Sequence, residues 1–196
     1  MKKILYIPVF LFFTFSVFAY EYKSNLRITL DVSDEFFIIS GIDVDTYIIQ
    51  LEKRYPGKYN TTELRKAFDR FEGLGEEVEK FYYIQAIGND PTDNIVLLSP
   101  NIPYQPINDI NKHCGNLERL LLKINNVKMH DCGFSNLPKK GKATFYWTGD
   151  GIREGTYNIV YSFFLRNTNY TFTATCHYDY CDTLNEEIVS MLNSIR

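Results

Sequence analysis

Histidine and tryptophan are scarce in this 196-residue chain, which has three of one and one of the other. No H-E-x-x-H, G-x-S-x-G or phosphate-cradling P-loop occurs, so zincin, serine-esterase and P-loop chemistry lack their signatures. The acids near the first strands, Asp31, Asp34, Glu35, Asp43 and Asp45, form no D-x-D-x-D-G calcium loop and read as solvated turn residues. No segment concentrates Lys or Arg, and 21 basic against 24 acidic residues give a formal charge of −3. Such a surface has little to offer nucleic-acid phosphates or anionic lipid. Internal repeats, low-complexity tracts and linkers are also missing, so a single domain is expected.

What is present begins with MKKILYIPVFLFFTFSVFAY. Lys2 and Lys3 form a positive start, Ile4 to Phe18 an apolar run, and Val17 and Ala19 the small residues of a cleavage site. A span needs about 20 apolar residues, and Glu21 and Lys23 follow at once. Residues 1–19 therefore read as a signal peptide, with an uncleaved anchor as the other reading. No cysteine stands at the cut to take a lipid. Residues 20–196 form the expected domain, with 19 basic against 24 acidic residues and a formal charge of −5 once Lys2 and Lys3 are gone. The many Ile, Asn, Lys, Phe and Tyr residues fit an AT-rich bacterial genome.

Periodicity then predicts the elements. LRITLDV (26–32) alternates as a strand, with FFII (36–39) as its hairpin mate. DVDTYIIQLEKRY (43–55) reads as a helix. Asn60 and Glu63 have capping-box spacing for a second helix, which Gly73 and Gly75 end or bend. FYYIQAI (81–87) and NIVLLS (94–99) read as strands joined by the turn residues GNDPTD, and SPNIPYQP (99–106) as a surface crossing. Ile110, Cys114, Leu117, Leu121 and Ile124 mark the buried stripe of a third helix. ATFYWTG (143–149), TYNIVYSFFLR (156–166) and NYTFTATC (169–176) form a meander, and Thr183 with Glu186 caps a closing helix. The fold class that follows is α+β, a mostly antiparallel sheet packed with helices in a sandwich.

All four cysteines, Cys114, Cys132, Cys176 and Cys181, follow the export signal, where an even count favours disulfides. Three pairings are possible. Cys114–Cys132 and Cys176–Cys181 are favoured because each closes a short loop, worth about 2–3 kcal/mol in the chain-entropy model. The neighbouring histidines, His113, His130 and His177, raise a metal or redox alternative. A C-x4-C spacing is a weak zinc signal and too long for a redox C-x-x-C, so no metal ligand is assigned and no cofactor expected.

The opening LRITLDVSDEFFII, the meander GTYNIVYSFFLRNTNYTFTATC and the closing LNEEIVSMLNSIR resemble the PsbP-like superfamily, which includes the Mog-like proteins, over roughly residues 26–196. The four cysteines and the helical insert around 43–80 depart from that pattern. The resemblance implies a sandwich fold and an accessory or binding role rather than catalysis, and it transfers no site residue.

The expectation is therefore an exported protein, periplasmic or secreted, that binds a protein partner without catalysing a reaction. An immunity-type protein that neutralises a periplasmic toxin is one form of it. A basic partner would suit the acidic, aromatic surface. Nucleic acid and, after cleavage, membrane are not expected partners. Contact residues are sought on loops between rigid strands. Trp147, Asp150 and Arg153 lie on a Gly-rich hairpin tip, and His177, Tyr178 and Tyr180 in the last loop. Trp147 has a second reading as a core residue sharing a face with Ala143 and Phe145. A hydrolase with an unrecognised site near His113 or His177 is the remaining alternative.

Overall fold

The computed structural model describes residues 19–39, 44–72, 74–75, 77–83, 95–101, 107–137 and 144–196. The expected signal segment up to residue 18, strand residues 84–87, the GNDPTD turn, residues 102–106 and Ala143 lie outside them.

The centre is a seven-stranded antiparallel sheet in the order β3-β4-β5-β9-β8-β7-β6. Its strands are β3 (Phe36–Ile38), β4 (Glu79–Tyr83), β5 (Ile95–Asn101), β6 (Met129–Ser135), β7 (Thr144–Asp150), β8 (Thr156–Leu165) and β9 (Thr168–His177). Alternation divides each strand between two faces. One face presents Phe36, Phe81, Tyr83, Val96, Leu98, Ile159, Phe163 and Phe172 to the main core. That core is closed by α4 (Tyr178–Ser194) through Leu184, Ile188, Met191 and Leu192, and by Leu30 and Val32 of β2 (Thr29–Ser33). Burying each such side chain stabilises the fold by about 1.5–3 kcal/mol. A short β1 (Ala19–Lys23) pairs with β2 as a separate two-stranded ribbon.

On the opposite face, Phe37, Tyr82 and Leu97 meet α1 (Val44–Arg54) and α2 (Thr61–Glu72). Tyr47, Leu51, Leu64 and Phe68 fill this second core. Asn60 caps α2, its side-chain oxygen accepting the Thr62 N–H at 3.1 Å. Further along the same face lies α3 (Ile110–Asn125), joined to β6 by the Cys114–Cys132 disulfide with a Cα separation of 6.0 Å. The second disulfide, Cys176–Cys181, ties the end of β9 to the first turn of α4 at 5.4 Å. The result is a three-layer α+β sandwich.

Several expectations change. Strands 26–32 and 36–39 are not hairpin mates. β2 pairs with β1, while β3 joins β4 through Phe36↔Tyr83, because alternation marks the apolar face of a strand and not the strand beside it. The supposed crossing at Ser99 continues β5 through Pro100 to Asn101, in register with β9. A proline fits there because β4 pairing ends at Leu98, so its missing N–H breaks no ladder bond on that side. The α3 stripe is only partly buried, with Ile124 65% exposed, because the helix lies against the edge strand β6. The last helix starts at Tyr178, so Thr183 and Glu186 fall inside it and cap nothing. Trp147 lies opposite Cys132 on the α3 side of β7, half-buried and away from the main core. Asp31 is no free turn acid: it and Glu21 accept from the Arg196 guanidinium at 3.0 and 2.6 Å.

Candidate functional site

The geometry that concentrates chemistry is the corner where β6, β7 and β8 end against the start of α4. Its centre is Asp150, the last residue of β7. The Asp150 N–H donates to the Lys128 carbonyl at 2.9 Å, and its own carbonyl accepts from Asn158 Nδ2 at 2.8 Å. Thr175 Oγ1 in turn holds Asn158 Oδ1 at 2.8 Å. This approach of β7 to the chain before β6 demands glycine at 149, where a Cβ would stand 2.5 Å from the Lys128 carbonyl oxygen.

A register shift in β6 between Met129 and Asp131 takes His130 out of the regular ladder. Such a bulge re-aims a side chain, and here His130 Nε2 comes to 2.5 Å from Asp150 Oδ1. Tyr178, in the first turn of α4, donates its hydroxyl to the same oxygen at 2.8 Å. Tyr157 stacks on His130 at 5.6 Å between centroids with planes 20° apart, and lies 5.8 Å from the Tyr178 ring. Next to them Tyr146 donates to Asp131 at 2.9 Å.

These bonds shape the electrostatics. The hydrogen bonds from His130 and then Tyr178 hold the Asp150 carboxyl below the usual aspartate range, and Lys128 adds to this. The phenol of Tyr178 is pushed up because its proton is shared with Asp150, and that of Tyr146 because of Asp131. The corner stays open to solvent: His130 and Asp150 side chains are 36% and 37% exposed, and Tyr178 is 51% exposed.

Of the six residues singled out from sequence, the fold unites Asp150 with Tyr178. Arg153 lies exposed on the adjoining hairpin tip, its carbonyl accepting from Thr156. His177 and Tyr180 are not loop residues as expected. His177 is the N-cap of α4, with Nδ1 accepting the Asp179 N–H at 3.4 Å, and Tyr180 belongs to the first turn. The helix begins that early because the Tyr178 N–H bonds the Gly155 carbonyl and the Cys176–Cys181 bridge fixes the turn beside it. Trp147 is on the other face of β7. His130 and Tyr157 went unrecognised as site residues. Nothing local marks the bulge at His130, and Tyr157 shares the alternation of a core strand.

The corner offers a fixed carboxylate, an imidazole and two phenol rings. Its hydroxyl donor is a phenol aimed at the carboxylate, and no serine or cysteine joins the His130–Asp150 pair among the described residues. Both cysteine pairs are closed. No group of three His, Cys, Asp or Glu is placed to hold a metal ion among the described residues. None of the described helices is long and apolar enough to cross a membrane.

The chain superposes on the solution structure of cyanobacterial PsbP (CyanoP) from Synechocystis sp. PCC 6803 with a TM-score of 0.51, covering 92% of each chain at 10% identity. The fold is PsbP-like. No family model matches the sequence, and neither does any curated protein. At this identity the PsbP-like likeness describes the scaffold, and the Asp150 corner has to be read from its own residues.

Proposed function

We propose that this chain is an exported, non-catalytic accessory protein of 177 residues after loss of residues 1–19, which recognises a protein partner through the Asp150 corner. The observation that carries the reading is the corner itself. Aromatic rings and a carboxylate are fixed by hydrogen bonds at the rim of a rigid sheet, yet remain solvent-exposed. Amphipathic aromatic side chains of this kind supply contact area at low entropic cost. The accessory role accords with what the PsbP-like resemblance implies, and export accords with the apolar leader and two disulfides.

The test uses the disulfide-bonded mature protein as bait in the native periplasm or secreted fraction, beside an Asp150→Ala/Tyr178→Ala variant of equal thermal stability. The reading expects one dominant partner that the variant captures at least about tenfold less well, the scale of losing a central contact. Equal capture by both sinks the corner as the contact surface.

A further inference from the structure

We propose that the Asp150 corner receives the guanidinium group of an arginine from a basic segment of the partner. This deepens the functional reading above and rests on it. His130 and Tyr178 both bond Asp150 Oδ1, and the structure gives Oδ2 no donor from the described residues. Two donors on one oxygen fix the plane of the carboxylate, so the open oxygen is held in one direction before any ligand arrives. With Oδ1 taken by two donors, Oδ2 is left as a charged acceptor for one N–H of an arginine guanidinium, whose plane can then lie against the neighbouring rings. A lysine ammonium can make the same charged hydrogen bond but has no flat face to stack on the rings.

The rings define the rest of the shape. Tyr157 and Tyr178 have centroids 5.8 Å apart with planes inclined at 51°, so they form an angled aromatic wall beside the carboxylate. His130 extends the wall by stacking on Tyr157. Guanidinium groups are weakly hydrated and stack on aromatic faces, a contact of about 0.5–2 kcal/mol according to exposure. Further carboxylates stand close by in the chain, with Asp131 following His130 and Asp179 following Tyr178. Lys128 and Arg153 oppose them, and the mature chain carries a net −5. The balance favours a cationic segment over a neutral or acidic one.

The probe is a short blocked peptide, acetyl-Gly-Arg-Gly-Arg-Gly-amide, titrated into the mature, disulfide-bonded protein by calorimetry and by NMR of the Tyr157 and Tyr178 rings. Its citrulline and lysine counterparts are run beside it. Citrulline preserves shape but lacks the charge and should bind at least about tenfold more weakly, which is about 1.4 kcal/mol. The lysine peptide should bind several-fold more weakly. Asp150→Asn should weaken the arginine peptide about tenfold, near the low end of the range for charged hydrogen bonds, and Tyr178→Phe, which keeps the ring and only releases the carboxylate, should weaken it less, about threefold. Citrulline binding equal to arginine, or lysine equal to arginine, overturns the proposal on the unaltered protein, whatever the variants do to folding. Failure of the arginine peptide, while partner capture still depends on Asp150 and Tyr178, removes this inference and leaves the functional reading intact. Arginine binding as described, with partner capture indifferent to both residues, does the reverse.

Discussion

Truncating Glu79 to alanine should loosen the β1–β2 ribbon more than any other part of the fold. Glu79 is fully buried in β4. One carboxylate oxygen accepts the Tyr22 hydroxyl at 2.6 Å. The other accepts the Ser24 hydroxyl at 3.0 Å and the Asn25 N–H at 2.8 Å. Ser24 and Asn25 lie in the turn that joins β1 to β2 and Tyr22 in β1 just before it, and the Ser24 oxygen also accepts the Leu26 N–H at 2.9 Å. Hydrogen bonds to a charged group contribute about 1.5–3 kcal/mol each, but Tyr22 and Asn25 are near enough to water to recover part of that, so the expected loss is about 3–4 kcal/mol. Against a total stability of about 5–15 kcal/mol, such a loss is easily measured. Glu79→Gln keeps the shape and one acceptor and should cost about half as much, and Tyr22→Phe about 1 kcal/mol. Urea unfolding with an unchanged slope gives the energies, and hydrogen exchange gives their place. Amides of residues 21–23 and of Thr29–Ser33 should exchange faster while those of α1 and α2 keep their protection. A loss below about 1 kcal/mol for Glu79→Ala, or equal effects for Gln and Ala, would refute the view of Glu79 as the anchor of the ribbon.

Three further outcomes follow from the same structure. Cys114→Ser/Cys132→Ser should destabilise by about 3 kcal/mol, from the length of the closed loop. It should also raise quenching of Trp147 by acrylamide, since the bridge holds α3 to Cys132, the residue paired with Trp147, and His113 of α3 packs on Phe145 of the same strand. Cys176→Ser/Cys181→Ser should cost less, about 2 kcal/mol, while lowering the helicity of residues 178–181, read by NMR. The Asp150 carboxyl should titrate below the usual aspartate range. Because its folded pKa is depressed, its small contribution to stability is present above the ordinary aspartate value and lost as pH falls through the depressed one. Carboxyl NMR should show Tyr178→Phe and His130→Gln each moving that titration upward.

How far the residues foretold this can be seen element by element. The meander was legible because Tyr157, Ile159, Tyr161 and Phe163 alternate over a long strand. Its two-residue connection Arg166–Asn167, with φ values of 49° and 64°, suits a twisted hairpin. The stripe on α3 gave the helix but not its partial exposure, since periodicity reports which face is apolar and not how much of it a neighbour covers. The pairing of β2 with AYEYK was hidden because alternation carries no information about which strand lies alongside. Thr183 and Glu186 have a valid capping-box spacing, and the early start of α4 depends on Gly155 and Cys176, which local rules do not weigh. Likewise Asp150 and Tyr178 stood out as polar and aromatic residues near turns. His130 enters only through the bulge, a tertiary feature of how β6 meets β7.

A partner held at the Asp150 corner can be trapped by a photo-crosslinking benzoylphenylalanine at Ile152, 73% exposed on the adjoining hairpin tip, in the full chain in its native host. Ile49 on α1, 68% exposed, is the control position. One discrete adduct should form from position 152, disappear when Asp150→Ala is added, and be absent from position 49. An adduct from position 49 with none from 152 would overturn the proposed function and move the contact surface to the opposite end of the sheet.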